Sequence, residues 1–274
     1  MKKGGNRIAT YLAVVVLLCV YPMIRMATGG GIEQNKALVL PIMWAPAISA
    51  IITKLLFDKT ARGLGFRRCP PIHLAAAYLL PLLGGGIVYL IAWNTGIGAL
   101  NREVFARLGI VDWIGLLGVP MSLLTATGEE IGWRGFLVPE LNKRFSYTAT
   151  SLITAAVWCL YHYPLMLFGG YNGGVSILAS MIFFSISIIA ICFITTWMRL
   201  KTGSVWAPAL LHAAHNYFIQ AVFDPLTVKG PHTAIFTTEF GIGLAVIYSV
   251  AAFFYWRRRG ELVPEQVKPA QAPA

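Results

Sequence analysis

The chain has 274 residues, 57% hydrophobic and 12% charged, with a mean hydropathy of +0.67 and a formal net charge of +11. A soluble domain usually carries about 25% charged residues, so composition excludes an ordinary soluble fold and points to an all-α, polytopic membrane helix bundle. The basic excess suggests nucleic acid at first sight, but its distribution along the chain argues against that partner.

In chain order, eight apolar runs reach or approach the ~20 residues needed to cross a hydrocarbon core: about 8–28, 37–57, 73–94, 113–138, 148–168, 175–198, 203–222 and 238–256. The first follows Lys2, Lys3 and Arg7. A signal peptide competes there, but the run is long and no small-x-small cleavage site follows, so a retained span is expected. The second and third spans flank a basic connector, "KTARGLGFRRCPP" (residues 59–71). Gly84, Gly85 and Gly86 in the third span predict close helix packing. Residues 95–112 are expected outside, with a short surface helix, and "GGYNGG" (169–174) reads as a tight outer turn.

With the N-terminus in the cytoplasm, the inner side collects three Lys and Arg from the N-terminal tail and five from 54–68. Three more come from Arg134 to Arg144, two from Arg199 and Lys201, and four from the C-terminal tail, 17 in all. The outer side has 5: Arg25, Lys36, Arg102, Arg107 and Lys229. That is the positive-inside pattern, with both termini cytoplasmic. One transmembrane domain, 1–262, is expected, followed by a Pro/Ala-rich disordered tail, 263–274. Cys19, Cys69, Cys159 and Cys192 are dispersed and read as small apolar fillers.

Ionisable groups inside spans are functional candidates by default. The fourth span contains "TGEEIGWRGFL" (127–137). Glu130 and Arg134 are four apart and share a helix face, while Glu129 points about 100° away. One carboxylate can thus be neutralised by the guanidinium while the other stays free; the bland alternative is a purely structural ion cluster. The fifth span carries Trp158 and His162 four apart, where His162 alone would equally suit a packing role. The seventh carries His212, His215 and Asn216 on one face. At 1.5 Å per residue, Glu129, His162 and Asn216 all lie about 20 Å from the inner ends of their spans, and His212 about 14 Å. They can therefore converge on one site, expected to open toward the cytoplasm of a cell membrane.

This equipment suits water activation: a desolvated carboxylate as general base, an imidazole to orient the water, and an amide and second imidazole to donate to an oxyanion. No G-x-S-x-G motif is present. The three motifs, Glu129-Glu130-x-x-x-Arg134, Trp158-x-x-x-His162 and His212-x-x-x-Asn216, with the flanks "GWRGFL" and "TGSVWAPALLHAAHN", resemble those of the CPBP family. That family comprises CAAX proteases of the Ras-converting-enzyme type and bacteriocin-processing enzymes, and the resemblance covers about residues 113–222.

The resemblance implies an intramembrane endopeptidase acting on a protein or prenylated-peptide substrate in the bilayer. Glu129 and His162 would activate water, and His212 and Asn216 would stabilise the oxyanion. Glu130, Arg134 and Trp158 would be structural or orienting. Zinc held by Glu129, His162 and His212 is an alternative to a metal-free mechanism, which ranks higher because no H-E-x-x-H is present. His215 is an extra imidazole without an assigned role. A non-enzymatic bacteriocin-immunity or partner-binding protein, and a transporter or proton relay, are the rival readings.

Overall fold

The structure, a computed structural model, describes residues 2–262, so the expected disordered tail at 263–274 lies outside the described residues. It is an all-α polytopic bundle. Its long helices are α1 (Lys2–Thr28), α2 (Val39–Asp58), α3 (Pro71–Thr95), α4 (Gly118–Glu130), α5 (Tyr147–Phe168), α6 (Ile177–Thr202), α7 (Trp206–His215) and α8 (Ile242–Arg257). A π-helical stretch, Ile131–Leu137, carries α4 on into Val138–Asn142, and a second, Asn216–Phe223, extends α7. Six helical stretches, those through α1 to α6, are long and apolar enough to cross a membrane. The seventh expected span is the π-interrupted α7 stretch, and the eighth is the 16-residue α8.

The helices begin and end where local chemistry dictates. Pro71 opens α3 at its first position, where the missing N–H costs nothing, and Ser146 caps α5 by accepting from the Ala149 N–H at 3.3 Å. The surface is inverted relative to a soluble protein: Leu17, Leu83, Leu160 and Leu178 point outward and are more than half exposed. Such a surface is matched to lipid rather than water.

Close packing fixes α4. A Cβ at Gly128 would lie 2.6 Å from the Met43 carbonyl, and one at Gly132 would lie 2.6 Å from the Tyr11 hydroxyl. These two glycines, four apart, let α4 press directly on α2 and α1, a small-x-x-x-small contact. The glycines of α3 act as expected: a Cβ at Gly84 or Gly85 would run into Ile247 of α8 or Ile219 of the second π stretch.

The bundle has two unlike ends. At one end, Arg7 of α1 pairs with Asp58 at 2.7 Å and lies 3.4 Å from Glu140, while Lys54 and Lys143 reach the same two carboxylates. The connector between α2 and α3 folds over this end: Val205 N–H donates to the Gly65 carbonyl at 2.9 Å, and Ser204 Oγ to the Arg67 carbonyl at 2.7 Å. Leu64, on the same connector, is buried against the bundle. The other end is loops, the expected short helix Arg102–Arg107, and a two-stranded antiparallel ribbon that the sequence reading did not anticipate. In it β1 (Gly98–Leu100) pairs with β2 (Thr227–Lys229) in the register Ala99 to Val228.

Candidate active site

The two adjacent glutamates diverge as their helical spacing requires. Glu129 Oε2 accepts from the indole N–H of Trp133 at 3.2 Å and from that of Trp158 at 2.7 Å. Its other oxygen has no hydrogen-bond partner among the described residues, and the residue lines a cavity of about 240 Å³. Glu130 turns away. Its Oε1 accepts from Arg134 Nη1 at 2.9 Å and from His212 Nδ1 at 3.1 Å. Glu130 and Arg134 are fully buried, and neither lines the cavity. Arg134 also lies over the Trp158 ring, 4.4 Å from its centroid, and donates to Cys192 Sγ at 3.2 Å. A π-helix here places seven consecutive buried residues, Ile131–Leu137, against the core at the point where the charges sit.

The histidines are held in defined tautomers. His162 Nδ1 lies 2.9 Å from the Trp158 carbonyl. A carbonyl only accepts, so Nδ1 carries the hydrogen and Nε2 of the neutral ring is left as an acceptor. The ring is walled by Tyr171 and Phe184, with centroids at 6.0 and 5.0 Å. His212 donates from Nδ1 to Glu130, which leaves its Nε2 for the cavity. Asn216, at the first position of the second π stretch, lines the same cavity, and its side-chain amide has no hydrogen-bond partner among the described residues.

Glu129, His162, His212, Asn216 and Trp158, five of the seven residues singled out in the sequence, therefore share one cavity, and Glu130 and Arg134 stand directly behind it. His215 lines it too, with Nδ1 2.8 Å from the Tyr248 hydroxyl and Nε2 3.7 Å from Glu239. Among the described residues no three His, Cys, Asp or Glu side chains are grouped as metal ligands. Glu129, His162 and His212, the zinc set considered from the sequence, line this one cavity together.

Several residues in or beside the cavity escaped the sequence reading. Trp133 follows Glu129 by four and was legible from helical spacing alone. Glu239, which accepts from Gln220 Nε2 at 3.0 Å, sits within the eighth apolar run and was open to the same test as any ionisable group in a span. Ser187 is buried with an unpartnered hydroxyl and carried no motif.

The cavity runs from the middle of the bundle toward the loop end. Trp158, Ile191 and Glu129 lie near the midpoints of their helices and form the floor, whereas Met26, Val39, Leu165, Tyr171, Gln220 and Glu239 lie toward the loop end, opposite the basic connector. Helix counting could not say which end was closed; the 59–70 connector closes the basic one.

These features define a polytopic helical membrane protein with a buried carboxylate–imidazole site. Residues 111–218, which contain all three motifs, are similar to the family described as type II CAAX prenyl endopeptidase Rce1-like. A CAAX prenyl protease 2 of Methanococcus maripaludis is 39% identical over 85 residues, 30% of this chain and 31% of that protein. The chain thus spans about a third of the length of the curated relative it matches.

Proposed function

We propose that the chain is an intramembrane endopeptidase that hydrolyses a peptide bond with carboxylate-activated water and no metal. The observation that carries this reading is the convergence of Glu129, His162, His212 and Asn216, from three separate helices, on one cavity.

The water sits between the free Glu129 oxygen and His162 Nε2. Two indole donors pin Oε2, so the carboxylate cannot rotate away, and general bases of this kind contribute about 10²–10⁴-fold. The water oxygen adds to the carbonyl carbon, and its proton passes to Glu129. The oxyanion is received by the Asn216 amide and by His212, whose doubly protonated ring presents Nε2–H while Glu130 balances its charge. Collapse breaks the C–N bond, and Glu129 returns the proton to the leaving amine. Glu130 and Arg134 position His212 and Trp158 without touching substrate. The aliphatic lining, including Leu165, Ile188 and Ile191, suits apolar side chains.

The bilayer is the protein's surroundings and a peptide, prenylated or otherwise apolar, its partner; nucleic acid is not. An immunity protein that only binds would need neither a carboxylate oxygen kept free nor a tautomer fixed with its acceptor toward the cavity.

The test is incubation of detergent-purified protein with a farnesylated CAAX peptide and mass spectrometry of the products. In detergent both ends of the bundle are open to the peptide, so the assay reads chemistry alone. Release of the C-terminal tripeptide, abolished in Glu129→Ala and retained with a strong chelator, is the expected result. Cleavage that survives Glu129→Ala overturns the assignment, and cleavage lost to the chelator overturns the metal-free mechanism.

A further inference from the structure

The positions of the cavity and of the basic residues in the same bundle have a consequence for the substrate. Every helix that lines the cavity does so from its middle toward one end. On α2 the lining residues are Val39, Ile42 and Met43, within the first five of twenty. On α5 they run from Trp158 to Leu165, all in the half farther from the 59–70 connector, and on α6 from Phe184 to Ile191, which passes the midpoint by only two residues. The same end supplies Ile32, Tyr171 and Glu239 from its loops. Toward the loop end Ile32, Val39, Met43, Tyr171 and Gln220 are accessible while Met26, Ile42, Leu165 and Glu239 beside them are buried; Glu129, Trp158, Ile191, Leu211 and His212 at the floor are all buried.

Below the floor the bundle is plugged. Arg199 donates from Nε to the Arg134 carbonyl at 2.8 Å, and a Cβ at Gly135 would lie 2.8 Å from the Leu64 carbonyl. Gly65 holds a φ of 89°, which lets the connector press onto Val205 and Arg199. Arg7, Lys54, Lys59, Arg62, Arg67, Arg68, Lys143, Arg144 and Lys201 all gather at this plugged end. No Lys or Arg lines the cavity at all. Basic residues in short loops and at span ends are retained in the cytoplasm. The plugged end is thus the cytoplasmic one, and the cavity faces away from it.

We infer that the site is entered from the extracytoplasmic half of the membrane, and that the occupant is a peptide segment presented at that face rather than a cytosolic C-terminus. Naming the occupant a peptide rests on the hydrolase reading; the direction of entry does not. The lining adds a chemical preference. With two carboxylates, Glu129 and Glu239, and no Lys or Arg, the cavity suits a donor or cationic group near Glu239.

The experiment is labelling of single cysteines by a membrane-impermeant maleimide in intact and permeabilised cells, in a Cys69→Ser background. His232→Cys reports the loop end, Arg68→Cys the connector, and Gln220→Cys the cavity. Labelling of His232→Cys and Gln220→Cys in intact cells, with Arg68→Cys unlabelled until permeabilisation, is the expected result. Labelling of Gln220→Cys only after permeabilisation, or in neither condition, overturns the inference. A protein that labels as expected but cleaves nothing retains the entry route and loses the hydrolase reading. One that cleaves but labels in reverse does the opposite.

Discussion

Glu129 and Glu130 are neighbours in sequence and occupy opposite kinds of surroundings. Glu130 has a guanidinium and an imidazole on one oxygen, is fully buried and has no view of the cavity. Glu129 has two neutral indole donors on one oxygen, no cation against it, and the other oxygen turned to open space. The difference arises from a single residue step on a helix, about 100° of rotation, which directs one carboxylate into a charge network and its neighbour into the site. A buried carboxylate with a cation holds structure together, while one with only neutral donors is available for proton transfer.

The largest expected effect breaks the structural side. Arg134→Met leaves the buried Glu130–His212 pair without its guanidinium, a loss on the order of 3–5 kcal/mol in stability. The double variant Arg134→Met with Glu130→Gln should lose clearly less than the sum of the two single variants, because the buried carboxylate charge is gone. Thermal unfolding in detergent, followed by light scattering or intrinsic fluorescence, checks both, and strict additivity would show that the pair does not act as a unit.

The catalytic side is sharpened by Asn216→Ala. Removing one oxyanion donor should lower turnover by about 10²–10³-fold. The Asn216 side-chain amide makes no hydrogen bond among the described residues, so the melting temperature should hardly change. A large loss of stability with turnover preserved would make Asn216 a packing residue instead.

The smallest effect comes from a third carboxylate, intermediate between the two. Asp224, just past the end of the second π stretch, accepts from the Tyr89 hydroxyl and has no ion-pair partner, and burial pushes its carboxyl from 3.8 up to about 6. Folding therefore favours its protonated form. The stability this contributes is fully present below the unfolded value and is lost as pH rises through about 6. Wild-type protein should accordingly melt higher at pH 5.5 than Asp224's charge allows at pH 7.5, and Asp224→Asn should flatten that difference. An unchanged pH profile in the variant would assign the dependence to other groups.

Much of this was legible in the sequence because membrane helices are regular. A rise of 1.5 Å per residue placed Glu129, His162 and Asn216 at one depth, and the i, i+4 spacing paired Glu130 with Arg134 before any coordinates. His212 illustrates what was not legible: its Nδ1 partner is Glu130, 82 positions away, and no periodicity announces that contact. The chain approaching Glu239 and the β1–β2 ribbon come from loops, where neither hydropathy nor spacing constrains the path. The π stretches at 131–137 and 216–223 add a residue per turn, so a strict α-helical wheel drifts at those points, next to Glu130 and Asn216. Direction of opening depended on a connector folding back over one end, which only tertiary structure reveals.

The most direct measurement of the division of labour puts Glu129→Gln and Glu130→Gln side by side, recording peptide hydrolysis and melting temperature on the same preparations. Glu129→Gln is predicted to melt like the wild type and to hydrolyse nothing above background. Glu130→Gln is predicted to melt lower and to keep a measurable fraction of turnover. Equal effects of the two substitutions on both readouts, or full turnover in Glu129→Gln, would contradict the account.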